Sequence, residues 1–195
     1  MSFVSRTGRL LYNYPMRLFG LIVDISCMVL VYLSFLMPKW KRRGFESLFA
    51  GTLMYVYLCF VIYFTLMPVF ASLPNVIMGP WGTINMHPFR DLFNRYGDYW
   101  RQILLNILML VPMGILYPIA RGNRGFGMTV LVGFIFSTVI EVMQPLLHAE
   151  RCFDITDIIT NTMGAALGFA VLTVFRPLLA LLFPRALGRK KRKKN

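Results

Sequence analysis

Five apolar segments, separated by polar stretches, dominate the hydropathy pattern of the chain. Each is close to the roughly 20 residues that a helix needs to cross the hydrocarbon core of a bilayer. Lipid offers the backbone no hydrogen-bond partner, so each segment is predicted to be a helix. The pattern therefore predicts an all-α fold, a multi-pass transmembrane helical bundle of about five spanning helices. The predicted spans are Leu18–Met37, Phe45–Met67, Ile103–Ala120, Phe126–Leu147 and Ile155–Phe175.

Two other stretches carry apolar residues but do not fit a spanning helix. Leu178–Phe183, bracketed by prolines, is too short to cross and is expected to lie along the inner surface. Pro68–Gln102 is rich in proline, glycine and aromatic residues. Because long structureless loops are uncommon in compact domains, it is expected to fold back as a lid or re-entrant piece.

The composition agrees with a membrane protein. Hydrophobic residues make up 57% of the chain, charged residues 15%, and the mean hydropathy is +0.60. A soluble domain of 195 residues could not hide that much apolar surface from water. We expect one domain over residues 1–195, with membrane lipids as partners.

The net charge of +13 comes largely from the basic tail at residues 184–195. Such a tail fits contact with anionic headgroups of the inner leaflet, so no nucleic-acid partner is expected. A solvated tail with no specific partner is the alternative.

The basic residues also predict an orientation in the membrane. Placing the Lys39–Arg43 loop inside puts 14 of the 21 basic residues inside. The predicted orientation has the N-terminus outside and the C-terminus cytoplasmic, although three arginines near the N-terminus oppose it.

Glu141 is the most informative polar residue, because a carboxylate inside an apolar helix is costly unless it is paired, solvated or protonated. Helical spacing puts it on one small or polar face of the fourth helix with Gly133, Ser137 and Gln144. This face predicts a site. The alternative is a buried interhelical hydrogen bond that only holds the bundle together.

The fifth helix begins with a second polar cluster. Asp154 is a plausible N-cap, and Asp157 occupies the acidic first turn. Asn161 lies a turn deeper on the same face, followed by Gly164 and Gly168, whose spacing is typical of close helix packing. We therefore expect Asp157 and Asn161 to be held against a neighbouring helix, and the fourth helix is the nearest candidate. The cluster comprises Arg151, Asp154, Asp157 and Asn161.

Asn106 in the third helix and Asp24 in the first extend the pattern, because the predicted orientation puts both in the outer half of the membrane. Polar side chains from four helices are then expected to converge at one depth, which indicates a shared site. His87 and His148 lie in outer loops without metal-ligand spacing, and serine-nucleophile and nucleotide-binding motifs are missing from the sequence. No metal or cofactor is expected.

Three motifs in the second half of the chain, over residues 85–168, resemble the VanZ-like family of bacterial membrane proteins. They run from Asn106 to Gly114, from Glu141 to Gln144 and from Arg151 to Gly164, preceded by Asn85-Met-His-Pro-Phe89. The resemblance implies a multi-pass protein of the bacterial cell membrane, associated with reduced susceptibility to the glycopeptide teicoplanin in Gram-positive bacteria. It also implies the ligand-binding positions Asn106, Glu141, Gln144, Arg151, Asp154, Asp157 and Asn161.

Three functional hypotheses follow. In the first, an outward polar pocket binds a lipid-linked cell-wall precursor or teicoplanin, with Arg151 positioned for an anionic group. In the second, the protein is an intramembrane hydrolase or transferase acting on a lipid phosphate, with Glu141 and Asp157 as candidate catalytic acid and base. In the third, it is a proton- or ion-coupled transporter that uses Asp24 and Glu141. A purely structural partner is the alternative to all three, and the sequence does not determine the oligomeric state.

Overall fold

A computed structural model of the protein describes residues 3–122 and 125–187. In this part of the chain, five helices are long and apolar enough to cross a membrane. The predicted all-α, multi-pass bundle is confirmed. The predicted basic tail at residues 184–195 lies partly outside the described residues, which end at residue 187.

The elements alternate between spanning helices and short pieces at the two ends of the bundle. A π-helical turn at Tyr32–Leu36 joins α1 to α2, so that Met16–Lys41 forms one continuous span. The described helices are α1 (Phe3–Val31), α2 (Met37–Lys41), α3 (Phe45–Leu66), α4 (Val69–Met78), α5 (Arg90–Asn94), α6 (Tyr99–Arg121), α7 (Phe126–Leu147), α8 (Ile155–Leu182) and α9 (Pro184–Leu187). The strands are β1 (Thr83–Asn85) and β2 (Cys152–Asp154).

The fifth span is longer than predicted. Helix α8 continues through Pro177 to Leu182. The prediction of a separate surface segment at Leu178–Phe183 is therefore wrong. A proline removes one backbone hydrogen bond and usually ends a helix in water. Inside a membrane the helix continues, because lipid leaves the backbone no better alternative and proline is tolerated there.

Helices α6 and α8 form the tightest contact in the bundle, and glycine makes it possible. A Cβ at Gly164 would overlap the carbonyl oxygen of Ile107, and one at Gly168 would overlap that of Val111. A Cβ at Gly114 on α6 would in turn overlap the Ala165 carbonyl oxygen on α8. The glycine pair therefore packs on the third spanning helix, whereas Asn161 contacts the fourth, which was the expected neighbour.

Helix α7 completes the core on the other side of α8. At Gly133 a Cβ would lie 2.6 Å from that of Ala165, so these helices also approach closely. Ala165 is fully buried with Leu110 and Met113 of α6. Helices α6, α7 and α8 thus form the packed centre of the bundle.

Helix α1 lies at the periphery and presents large apolar side chains on its surface, as expected for a lipid-facing helix. It packs on α4, where a Cβ at Gly20 would lie 2.6 Å from the Cβ of Ala71. The Asp24 carboxylate accepts hydrogen bonds from the backbone N–H groups of Val69 at 2.7 Å and Phe70 at 3.1 Å. Asp24 therefore caps the start of α4 from a neighbouring helix.

The Pro68–Gln102 segment folds back over one end of the bundle, as predicted. Its strand β1 pairs in parallel with β2, with Thr83 opposite Cys152 and Asn85 opposite Asp154. Gly82 donates its backbone N–H to the Pro145 carbonyl oxygen at 2.9 Å. This two-stranded sheet was not predicted, because its two strands lie far apart in the chain.

Candidate functional site

The polar residues gather where α6 begins, α7 ends and α8 begins, an end of the bundle that we call the polar end. Glu141 of α7 is only 2% exposed, and its Oε2 accepts a hydrogen bond from the backbone N–H of Asp154 at 3.3 Å. This contact joins the last turns of α7 to the strand that leads into α8. The carboxylate is therefore held in place by the backbone of the neighbouring element.

Asp154 connects three pieces of the chain. Its Oδ1 accepts from the backbone N–H of Thr156 at 2.7 Å, which confirms the predicted N-cap of α8. Its Oδ2 accepts from the side-chain amide of Asn85 at 2.9 Å. One carboxylate thus caps a spanning helix and fastens strand β1 over the polar end.

A second hydrogen bond fastens the same segment. The backbone N–H of Phe89 donates to the hydroxyl of Thr156 at 2.9 Å, and the side chain of Asn85 accepts from the backbone N–H of His87 at 3.2 Å. Asn85 and Thr156 also belong to the site, although they are not among the residues predicted from the sequence. Asn85 stood in the family motif, but nothing in the sequence alone indicates that it reaches Asp154.

Asp157 faces α6 from the first turn of α8. Its carboxyl group lies beside the side-chain amides of Gln102 and Asn106, and close enough to Glu141 and Asp154 for their charges to act on one another. Like charges in a partly dry site repel each other strongly unless protons, cations or dipoles compensate. The exposed guanidinium of Arg151 is close enough to offset part of this charge.

Asn161 lies one turn deeper and is 1% exposed. Its Nδ2 donates to the Ser137 hydroxyl at 2.9 Å, a buried link between α8 and α7. Within the described residues, Asn161 Oδ1 and Asn106 Nδ2 are buried without a hydrogen-bond partner of standard geometry. Buried polar atoms normally have a hydrogen-bond partner, so two such atoms without one are unusual inside a helical bundle.

The open space directly beside Asp154 and Asp157 is small, whereas Arg151 lines a separate cleft of about 490 Å³ at the same end. A cleft of about 20 Å³ lies between α5, α6 and the start of α8, with Asp154, Thr156, Asp157 and Gln102 among its lining residues. That volume holds about one water molecule. In this conformation the Pro68–Gln102 segment covers the carboxylates, and a larger ligand needs that segment to move.

The structure brings together most, though not all, of the predicted residues. Asp154 and Asp157 meet Glu141 and Asn106, and Asn161 lies a turn deeper. Gln144 is buried one turn from Glu141, while Arg151 lies exposed at the rim. Asp24 was expected to join this convergence and does not, because its carboxylate is engaged in capping α4.

Within the described residues, neither histidine forms a hydrogen bond with a carboxylate of the cluster. His148 Nε2 contacts the Leu66 carbonyl oxygen at 3.1 Å. Across residues 3–122 and 125–187, no group of three histidine, cysteine or acidic side chains is arranged to hold a metal ion. Three carboxyl groups beside amides and one arginine can instead bind polar ligands or exchange protons.

The fold and the site define a multi-pass helical membrane protein with a carboxylate and amide cluster at one end of its bundle. The chain belongs to the VanZ/LLP1 family, whose model matches residues 53–176, more than half of its length. The resemblance drawn from the sequence motifs is therefore confirmed. The match covers α6, α7 and most of α8, the three helices that carry the cluster.

A curated relative, Protein VanZ of Enterococcus faecium, is 28% identical over 132 residues. The aligned region covers 68% of this chain and 73% of the relative. No solved structure matches the chain.

Proposed function

We propose that this protein acts in the bacterial cell envelope and lowers susceptibility to teicoplanin by binding a lipid-linked cell-wall precursor, or the glycopeptide itself, at the polar end. Family membership supports the general role. In the predicted orientation, the polar end faces outward, where such ligands are present.

One observation carries the binding proposal. Asn161 Oδ1 is a buried acceptor and Asn106 Nδ2 a buried donor, and within the described chain neither has a hydrogen-bond partner of standard geometry, although the Asn106 amide lies beside the Asp157 carboxyl group. Leaving such a group unpaired costs about 1–3 kcal/mol, which a ligand that supplies the missing partner recovers. Hydroxyl and amide groups both donate and accept, and precursors and glycopeptides carry many of them.

The charged groups favour a ligand that also bears a phosphate or another anion. Arg151 is exposed at the rim, and a guanidinium can bind phosphate through two parallel hydrogen bonds. The carboxylates beneath it would then accept hydrogen bonds from hydroxyl or amide groups. The cleft must widen for this, and the segment that closes it is held by hydrogen bonds from Asn85 and Phe89, by the pairing of β1 with β2, and by the Gly82 to Pro145 hydrogen bond.

The test is teicoplanin susceptibility of a sensitive host that expresses Glu141→Ala, Asp157→Ala or the unaltered protein at matched membrane abundance. We expect both variants to lose protection. Asp98→Ala is the matched control, because its exposed carboxylate lies at the same end and pairs with Arg101 at 4.0 Å outside the cluster. Full protection by both site variants would end the proposal.

The gathering of Glu141, Asp154 and Asp157 also favours a second function, hydrolysis of a lipid phosphate. One carboxylate would take a proton from water while another donates one to the leaving lipid alcohol. Purified protein would then release phosphate from a phosphorylated lipid, and Glu141→Gln would abolish that release. Ligand binding without any product distinguishes the binding function from this one.

A further inference from the structure

A larger cavity lies at the opposite end of the bundle, which we call the basic end. Its volume is about 470 Å³, within the range typical of ligand sites. Lys39 of α2, Arg43 of the following turn and Arg121 at the end of α6 line its mouth. Lys39 and Arg43 are four residues apart and Arg121 comes from a distant part of the chain, and all three are exposed.

Local packing holds the cations in this arrangement. A Cβ at Gly51 of α3 would lie 2.5 Å from the Trp40 ring, so the missing side chain lets the indole of α2 lie against α3. The residues on either side of Trp40 are thereby held beside the start of α3. Arg43 and Arg121 also line an adjoining cleft of about 240 Å³, which shows that α3 and α6 meet at this point.

Three cations therefore lie together at the mouth of this cavity. In the described part of the chain, neither Lys39, Arg43 nor Arg121 forms an ion pair, since the one found there joins Arg101 to Asp98. Gly44, the N-cap of α3, provides no side-chain cap, so backbone N–H groups and the positive end of the helix dipole lie at this place. Glu46 in the first turn is the acidic group nearby.

The walls of the same cavity are apolar. From the mouth the walls continue along α3 and α7 into the membrane-spanning region, where uncharged side chains line the cavity. The apolar wall residues include Met54, Leu58, Val132, Ile135, Phe136 and Val139, and Tyr55 and Tyr117 also line the cavity. Water is unfavourable against such walls, whereas a hydrocarbon chain fills them at no cost in hydrogen bonds.

We propose that the basic-end cavity is a binding site for an anionic phospholipid, with its phosphate at Arg43 and Arg121 and one acyl chain between α3 and α7. Charge at one end and hydrocarbon at the other match the two halves of a lipid. Basic pockets between spanning helices favour anionic headgroups. A free phosphate would leave the apolar walls without a partner, so the whole lipid is the occupant. This site is separate from the polar end and does not depend on the function proposed there.

The experiment measures lipid retained by the purified full-length protein, using native mass spectrometry after addition of phosphatidylglycerol or phosphatidylcholine. We expect preferential retention of phosphatidylglycerol. Arg43→Ala with Arg121→Ala should lower it roughly tenfold or more, the size expected from losing two charge-assisted contacts. The matched control is Lys41→Ala with Arg42→Ala, which removes two neighbouring cations that do not line the cavity.

A second variant pair tests the acyl chain. Ile135→Trp fills the cavity and should lower retention, whereas Leu131→Trp should not, although the two positions on α7 are similarly exposed, at 51% and 49%. Glycerol phosphate, the headgroup alone, should fail to displace the lipid. The proposal is overturned if both lipids are retained equally, if the control pair loses as much lipid as the site pair, if Ile135→Trp has no effect, or if glycerol phosphate displaces the lipid.

Discussion

Asn161 donates its side-chain amide to the hydroxyl of Ser137 at 2.9 Å, and this buried hydrogen bond joins α8 to α7 beneath the carboxylate cluster. Both side chains are essentially inaccessible, at 1% and 0% exposure. The bond orients the amide so that its oxygen remains unpaired. One side chain thus forms a link between two helices and also carries the unpaired acceptor on which the proposed binding rests.

Removing the hydroxyl should destabilise the protein. Ser137→Ala leaves the Asn161 amide without its acceptor, and we expect a loss of about 1–3 kcal/mol of unfolding free energy. Reversible denaturation in detergent measures it. Thr138→Ala is the control, since its hydroxyl bonds its own helix at Phe134 and lies near the surface. Equal stability of Ser137→Ala and the unaltered protein would show that the bond contributes nothing.

The contact between α6 and α8 should not tolerate a methyl group. Gly164→Ala places a Cβ against the carbonyl oxygen of Ile107, so the two helices must separate. We expect destabilisation of about 1–3 kcal/mol, the range for overpacked cores. Gly127→Ala is the matched helical control, because nothing lies within 4 Å of its Cβ position. Thermal unfolding of both variants compares them directly, and an unchanged Gly164→Ala would contradict the close packing.

Breaking the bond between Asn85 and Asp154 should loosen the segment that covers the site. Asn85→Ala removes a 2.9 Å hydrogen bond and leaves a part-buried carboxyl oxygen of Asp154 without that donor, at a cost of about 1–3 kcal/mol. Cys152, half-buried in the paired strand, should then react faster with a thiol reagent. The experiment uses a background without Cys27 and Cys59, and Asn94→Ala, at an exposed position, serves as the control. An unchanged Cys152 rate would indicate that other contacts hold the strand.

The predicted orientation gives a labelling pattern. Ala149→Cys, exposed in the loop between α7 and β2, should react with a membrane-impermeant thiol reagent on intact cells. Lys41→Cys at the basic end should react only after the cells are permeabilised. The background again lacks the native cysteines. The reverse pattern would place the polar end in the cytoplasm and remove the outward-facing site.

The individual spans were predictable because each depends on its own apolar residues. Phe126–Leu147 has the predicted bounds, and α3 and α6 differ from prediction by a few residues at their ends. The end of α8 was not predictable in the same way. Pro177 usually ends a helix in soluble proteins, and only the membrane setting and the packing around α9 favour continuation.

The candidate site was partly predictable for a related reason. Glu141, Asp157 and Asn161 stand out because each is costly in an apolar helix, whatever its partner. Asn85, Gln102 and Thr156 do not, because they lie in loops or at helix ends where polar residues are ordinary. Their part in the cluster depends on contacts across the chain.

The sequence by itself determined the membrane setting, the number of spans, the family and the costly polar positions, because hydropathy and helical spacing are local properties. The tertiary structure alone decided which positions meet. In the structure the glycine pair of α8 packs against α6, Asp24 caps α4, and β1 pairs with β2. These outcomes depend on how close two backbones come and where hydrogen bonds are satisfied, which no local pattern specifies.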